Sequence, residues 1–393
     1  MSSLRIGLDL FSLVPGVGRG GGFHRYAVEL VSALARLPDA HHYFLFVNRR
    51  NAGLFPSGER FTQVVCRLPP ERELWPLRLA WQHLLLPRRV RQWGLDVLHS
   101  PFDTAPVRLS CPSVVTVHDL ISDVYYPRHF PGTINAFKAR YLFTAKRHAA
   151  RRASAIICPS QATADEVVRH YGVSRACIRV VPHGADHLDP TGRPLNHAHT
   201  VPCPPYVLSV VSLSPHKNIA GLLDAFRLAR ERFHLAHELH LVGMPGIVPA
   251  RLRQSLDSAA AAGLPVQLLG YVDEQTLRTQ YQGACLLAFI PLIEGFGLPV
   301  LEAMAFGIPV VASRVSSVVE VCGNAALLVD PHDAGAVADA IGKVLTEPPL
   351  ADRLRQAGRA RVLQFRWEDA ARATREVYEA AALRTGAART PSG

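Results

Sequence analysis

Short apolar runs alternate with longer stretches whose apolar residues recur about every three to four positions. LRIGLDL, YFLFV, DVLHS, SVVTVHD, SAIICPS and IRVVPHG are compact, apolar and bounded by polar or glycine-rich segments, so they predict buried strands. HRYAVELVSALARL and the stretch around Thr133–Arg152 predict helices. Strand–helix alternation of this kind predicts a parallel sheet covered on both faces by helices. The pattern breaks at LDPTGRPLNHAHTVPCPPY, which is rich in Pro, Gly and His and has no period. It then restarts with YVLSVVSL, a helix from Ile219, ELHLVG, a helix near Pro249–Ala262, VQLLG, a helix near Glu274–Gly283, CLLAFIPL, a helix from Pro299, PVVAS and AALLVD, and ends in helices.

The expected architecture is therefore α/β, with two Rossmann-like domains. The first covers residues 1–188, a linker 189–205, and the second begins at 206. The tail RTGAARTPSG predicts disorder over 386–393. The halves share architecture without a sequence repeat. In such sheets ligands bind beyond the carboxyl ends of the strands. Two halves facing each other would put a site in the cleft between them.

Length agrees with two domains, since 393 residues exceed what one ordinary core organises. No apolar run is long enough to span a bilayer; CLLAFIPLI has the length of a buried strand. MSSLRIGLDLFSL is interrupted by Asp9 and has no basic leader, so it does not predict a signal peptide. The seven cysteines are scattered and form no C-x-x-C, the usage of reduced thiols in a cytoplasmic protein. The formal charge of +11 is uneven. No acidic residue lies between Asp123 and Asp165, while KARYLFTAKRHAARR supplies Lys138, Arg140, Lys146, Arg147, Arg151 and Arg152. Such a surplus favours anionic partners: phosphorylated substrates, anionic lipid or nucleic acid. A merely solvated basic helix is the plainer alternative.

PGVGRGGGFHRY follows the first strand and opens the first long helix. It holds G-x-G-x-x-G at Gly16, Gly18 and Gly21, where a dinucleotide fingerprint would sit. The loop carries extra glycines, however, and YFLFVNRR ends in Asn48 and two arginines, with no acidic residue to hold a ribose diol. The loop supports instead a main-chain surface that a phosphate or sugar can approach.

The richest chemistry lies in PLIEGFGLPVLEAMAFGIPVVAS, Pro291–Ser313. Glu294 follows a strand. Gly295-Phe296-Gly297 predicts a tight, side-chain-poor turn, and Pro299 suits the first turn of a helix ending at Gly307. The N–H groups around Gly297 and Leu298 then leave a helix N-terminus, a seat for an anion such as a diphosphate. Glu294 and Glu302 flank that seat, and each carboxylate can accept from vicinal hydroxyls. The layout matches a nucleotide-sugar. A glycosidase pair would flank one bond with no anion between.

This segment resembles the donor-binding motif of the family 4 retaining glycosyltransferases, which have the GT-B fold. The likeness extends through ELHLVG, LLGYVDEQTLRTQY, EVCGNAALLVDPHD and FRWEDAARATREVY, and in the first half through GGFHRYAVELV, DVLHSP, VTVHDL and VVPHGAD. Its flavour is that of bacterial mannosyl- and rhamnosyltransferases. The resemblance implies that Glu294 contacts donor-sugar hydroxyls and Glu302 the nucleotide ribose. The main chain of Phe296, Gly297 and Leu298 would hold sugar and phosphate. SLSPHKN resembles the phosphate-binding segment, with Lys217 neutralising the diphosphate. Relatives carry Gly-Arg where this chain has Val211-Ser212, so a second basic contact falls to His216 or to an arginine elsewhere, beside Ser212 in the donor segment. Gly21 and Gly22 match the loop that approaches the diphosphate from the first domain. His118 matches a histidine near the transferred sugar, and Asp119 beside it would orient that ring or an acceptor. Val272 matches the region bordering the base. The second domain would end at 372, and residues 373–385 would cross back to the first.

The implied reaction is retaining hexosyl transfer, mannose-like, from a nucleotide-diphosphate sugar (GDP-mannose-like or a UDP-sugar) to a glycan or lipid-linked glycan. No cofactor and no metal is expected, since the sequence has no D-x-D and no ligand cluster. The leaving phosphate would accept the acceptor's proton, so no protein nucleophile is needed. ELWPLRLAWQHLLLPRRVRQWG, with Trp75, Trp81 and Trp93, could dock with the basic helix on the inner face of an anionic membrane, or could simply pack within the domain. No nucleic-acid module is recognisable. Rival readings are a GT-B epimerase or phosphorylase, a silent sugar-nucleotide binder and an NAD-linked oxidoreductase.

Overall fold

The computed structural model describes residues 3–14, 21–67, 75–129, 131, 136–187, 204–243 and 248–386. The chain forms two compact units, Met1–Gly184 with Trp367–Gly393, and Ala185–Arg366.

The first unit is built on seven parallel strands: β1 (Arg5–Asp9), β2 (His42–Asn48), β3 (Phe61–Cys66), β4 (Val97–Ser100), β5 (Ser113–Thr116), β6 (Ala155–Cys158) and β7 (Ile178–Val180). Their order is β3-β2-β1-β4-β5-β6-β7. β3 was not expected from the apolar pattern. FTQVVC is an edge strand, and its polar Thr62 and Gln63 interrupt the apolar run.

The second unit has six parallel strands: β8 (Tyr206–Val210), β9 (Glu238–Val242), β10 (Val266–Gly270), β11 (Leu286–Phe289), β12 (Val310–Ser313) and β13 (Leu327–Val329). They are ordered β10-β9-β8-β11-β12-β13. In both sheets the strand order reverses once, between β1 and β4 and between β8 and β11. Loops leaving adjacent strands part there, and ligands bind at such switch points. Central strands such as β8 and β11 are buried along nearly their whole length, as expected of sheets covered on both faces.

The helix Trp367–Gly386 belongs to the first unit, where Trp367, Ala371 and Tyr378 are buried in the core with Ile6, Leu8 and Tyr26. The second unit thus ends at Arg366 rather than 372, and the returning segment begins at Trp367 rather than 373. The reason is packing that periodicity does not reveal: the Trp367 ring stacks on His183 with centroids 5.7 Å apart. The first boundary also falls earlier, at Gly184, because Ala185 already lies in the second unit and donates its N–H to the Phe365 carbonyl (2.9 Å). Residues 188–203, most of the expected linker, and 387–393 of the expected tail lie outside the described residues.

The basic helix spans Ala136–Arg152. Lys146 departs from a solvated face: it is buried. Two tryptophans of the tryptophan-rich segment, Trp81 and Trp93, also pack inward. Trp81 is buried and its indole N–H donates to Asp9 Oδ1 (3.1 Å), while Trp93 packs on Phe44 at 5.1 Å. No described helix is long and apolar enough to cross a membrane.

Candidate active site

The second unit's switch point brings the loop after β8 beside the loop after β11. In the first loop, Pro215–Lys217 form one 3₁₀ turn, and Asn218 in the left-handed region leads into the helix Ile219–Phe233. The two loops are joined by a hydrogen bond from the Leu292 N–H to the His216 carbonyl, 2.7 Å. Lys217 Nζ consequently lies 2.5 Å from Glu294 Oε2, with both side chains about one-sixth exposed, 17% and 16%. The ammonium also stands 5.5 Å from the Phe289 ring centroid. Burial alone would push the Glu294 carboxyl up. The Lys217 charge, with the hydrogen bonds from its ammonium and from the Gly295 N–H, outweighs it and holds the group below its usual range.

Gly297 takes φ 110° and caps the helix Leu298–Ala305, with Pro299 in the first turn. A side chain would be strained at this φ. The first intrahelical bond shown is Val300 N–H to the Gly297 carbonyl (3.0 Å). Gly297 and Leu298 thus present N–H groups that a helix cannot satisfy internally. Phe296 and Leu298 point their side chains into the core, so only their main chains can meet a ligand.

Glu302 is buried on the second turn of that helix, and each of its oxygens meets a protein group. Its Oε2 accepts from the Tyr281 hydroxyl (2.7 Å) and its Oε1 lies 3.3 Å from His187 Nε2. Ser212 follows β8 half-buried, and Val272 packs partly on the core. Gly243 lies against the same loop: a Cβ there would meet the Val211 carbonyl oxygen at 2.5 Å. His216 is no second cation. Its imidazole is buried, which pushes it down to about 4 despite the nearby Glu294, so it is neutral.

Sequence reasoning missed what pins the Glu294 loop. Ser316 Oγ and Ser317 Oγ each donate to the Glu294 carbonyl (2.9 Å), and Ser317 Oγ also reaches the Phe296 carbonyl (3.2 Å). These serines follow β12, the neighbour of β11. Only sheet order, which the motif does not state, brings them there.

In the first unit, β4 and β5 lie side by side, and His118 follows β5. Its Nε2 is 3.0 Å from the Pro101 carbonyl and its main-chain N–H donates to Asp103 Oδ1 (3.1 Å). A carbonyl can only accept, so Nε2 carries the proton. Burial lowers the ring's basicity against the opposing pull of Asp103, so the ring is neutral and Nδ1 is left as an acceptor. The ring sits edge-on to Phe23 and Tyr26, each 4.7 Å away. Asp119 turns its carboxylate to its own chain, accepting the Ile121 N–H at 2.9 Å.

Gly21 opens the helix Gly21–Arg36 and Gly22 is exposed beside it; Gly16, Gly18 and Gly20 lie outside the described residues. The approach to that loop is clamped by Asn48 and Asn51, both fully buried, whose amides donate to the carbonyls of Leu10, Phe11 and Leu13. Asn48 is spent on main chain, where a dinucleotide enzyme would hold a ribose. Among the described residues no group of three or more His, Cys, Asp or Glu could hold a metal ion.

Family comparison agrees with this geometry. The model for Glycosyltransferase Family 4 matches residues 20–187, and that for Glycosyl transferases group 1 matches residues 199–361. The chain belongs to the family 4 glycosyltransferases. O-antigen chain mannosyltransferase B of Escherichia coli is 29% identical over 372 residues, covering 91% of this glycosyltransferase and 96% of that protein. Sucrose-phosphate synthase from Thermosynechococcus elongatus superposes with a TM-score of 0.72 at 21% identity, covering 98% and 100% of the two chains. HepE from Anabaena, solved with UDP-glucose, gives 0.66 at 19%, covering 97% and 100%. The fold is GT-B, and this glycosyltransferase is a hexosyltransferase. The oxidoreductase, epimerase and phosphorylase readings are not favoured.

Proposed function

We propose that this glycosyltransferase moves a mannosyl unit from GDP-mannose to a glycan or lipid-linked glycan with retention at the anomeric carbon. The observation that carries the donor site is the Lys217–Glu294 contact beside the N-terminus of the helix Leu298–Ala305. Mannose is favoured by the likeness to a mannosyltransferase over nearly the whole chain. A solved structural neighbour holds UDP-glucose, which supports a nucleotide-sugar as the donor class.

In this reading Lys217 and the N–H groups of Gly297 and Leu298 take the diphosphate. Glu294 accepts from sugar hydroxyls, and Glu302, held in place by Tyr281 and His187, accepts from the ribose. Ser212 and the main chain of Val272 border the nucleotide. Gly21 and Gly22 present main chain that a phosphate can approach. His118 accepts from a sugar hydroxyl through Nδ1. Asp119 shapes its own loop by capping Ile121 and lies beside the acceptor.

The C1–O bond to phosphate breaks as the bond from C1 to the acceptor oxygen forms on the same face. The acceptor proton passes to the departing phosphate oxygen. Lys217 stabilises the charge that develops there, and the rest is orientation.

Peripheral contact with an anionic membrane would use the outer face of the helix Ala136–Arg152. Phe137, Arg140 and Tyr141 are exposed there at i, i+3 and i+4 spacing.

The test is turnover of GDP-mannose, UDP-glucose and dTDP-rhamnose, with NMR of the product anomer. Release of GDP with an α-linked product supports the reading. No turnover of any donor, or an inverted product, overturns it.

A further inference from the structure

We infer that Lys146 is a positioning residue that holds the His118 imidazole in place through Asp103. The inference rests on the reading that His118 meets the sugar.

Lys146 stands in the middle of the basic helix, yet only 5% of it is exposed. Its ammonium lies 2.8 Å from Asp103 Oδ2, 3.0 Å from Asp123 Oδ1 and 3.4 Å from Ser122 Oγ. Asp103 uses its other oxygen on the main-chain N–H of His118 (3.1 Å). Two residues earlier, the Pro101 carbonyl takes the His118 ring proton (3.0 Å). One short loop therefore grips His118 twice, at the main chain and at the ring. Lys146 in turn grips that loop.

The far side of the cluster is equally fixed, because Asp123 Oδ2 accepts from the Tyr171 hydroxyl (2.7 Å). Asp103, Asp119 and Asp123 all act on the Lys146 charge and outweigh its burial, so the ammonium stays protonated. Without it, Asp103 and Asp123 would be partly or wholly buried carboxylates with no cation between them, and Asp103 would turn toward water. Both contacts on His118 would loosen together. A fold can be stabilised more simply than by a buried ion cluster. Its grip on the loop that holds His118 is what a positioning role requires.

The experiment is a double-mutant cycle between Lys146→Met and His118→Ala, read as GDP release from GDP-mannose. It is paired with ¹⁵N NMR of the histidine rings in the full-length protein without donor. Lys146→Met is expected to lower kcat about tenfold in the wild type and less than about twofold in His118→Ala, because its effect passes through that ring. The NMR spectrum of the wild type should show His118 as one Nε2–H tautomer, and Lys146→Met should lose that single state. Lys146→Arg should restore much of both.

An equal loss in the two backgrounds, or an unchanged tautomer in Lys146→Met, overturns the inference. Full activity of His118→Ala overturns the reading of His118 instead, which separates the two failures. Should Lys146→Met fail to fold, Asp103→Asn carries the same cycle, since it keeps an oxygen for the His118 N–H and loses the charge. If GDP-mannose is not turned over, the tautomer measurement alone decides.

Discussion

Lys217 Nζ and Glu294 Oε2 form a 2.5 Å ion pair at the point where the strand order of the second sheet reverses. The cation and the carboxylate belong to loops 77 residues apart, joined only because β8 and β11 are neighbours. The depressed Glu294 carboxyl gives a pH signature. A carboxyl with a folded value below its unfolded one stabilises the fold above the unfolded value, and that contribution is lost as pH falls through the folded value. Urea unfolding of wild type and Glu294→Gln should therefore differ most at neutral pH and converge below the ordinary carboxylate range. A difference that stays constant from neutral pH into acid contradicts the pairing.

Tyr281 fixes Glu302 by a charge-assisted hydrogen bond. Tyr281→Phe keeps the stack on Phe306, 5.4 Å between centroids, and removes only the hydroxyl. A hydrogen bond to a charged group contributes about 1.5–3 kcal/mol. GDP affinity by calorimetry should fall at least about tenfold while the fold survives. Unchanged affinity would mean that the Glu302 orientation does not matter to the nucleotide.

His99 is buried between the Tyr378 hydroxyl (2.7 Å) and Thr116 Oγ1 (2.8 Å). Burial pushes it down to about 3. The unfolded chain binds this proton first, so stability is full above about pH 6.5 and is lost as pH falls toward the folded value. By pH 5 the loss from this one ring is about 2 kcal/mol. The melting temperature should drop between pH 7 and pH 5, and His99→Gln should flatten that slope. An equally steep slope in His99→Gln would move the effect elsewhere.

Gly297 at φ 110° admits a side chain only with strain of about 1–3 kcal/mol. If the N–H groups at this helix start take the diphosphate as proposed, Gly297→Ala should lower the rate of GDP-mannose turnover by more than its effect on melting accounts for. Loss of stability with unchanged kcat/KM would make Gly297 a structural glycine only.

Much of this was legible in the sequence because the informative signals were local. Buried strands such as β8 and β11 are short apolar runs, and Glu294, the glycines and Pro299 sit within one loop and its helix. What failed was non-local. β3 lies at an edge, where Thr62 and Gln63 mask the strand. Lys146 reads as one more charge on a basic helix, and nothing nearby announces that Asp103 and Asp123 close around it. Ser316 and Ser317 look like an ordinary helix start. In the sequence Asn48 stands out only as the absence of an acid, while its role in holding the Phe11 and Leu13 carbonyls needs the fold. His216 resembles a cation in the string SPHKN and is neutral because it is buried.

In the proposed reading Lys217 and the helix N-terminus take the diphosphate while Glu294 takes the sugar. Glu294→Ala titrated by calorimetry with GDP and with GDP-mannose, with turnover followed in parallel, tests it most directly. The expected result is GDP affinity at least equal to wild type, since Lys217 loses its competing carboxylate, together with loss of turnover and of any added affinity from mannose. Loss of GDP binding, or turnover at the wild-type rate, would contradict it.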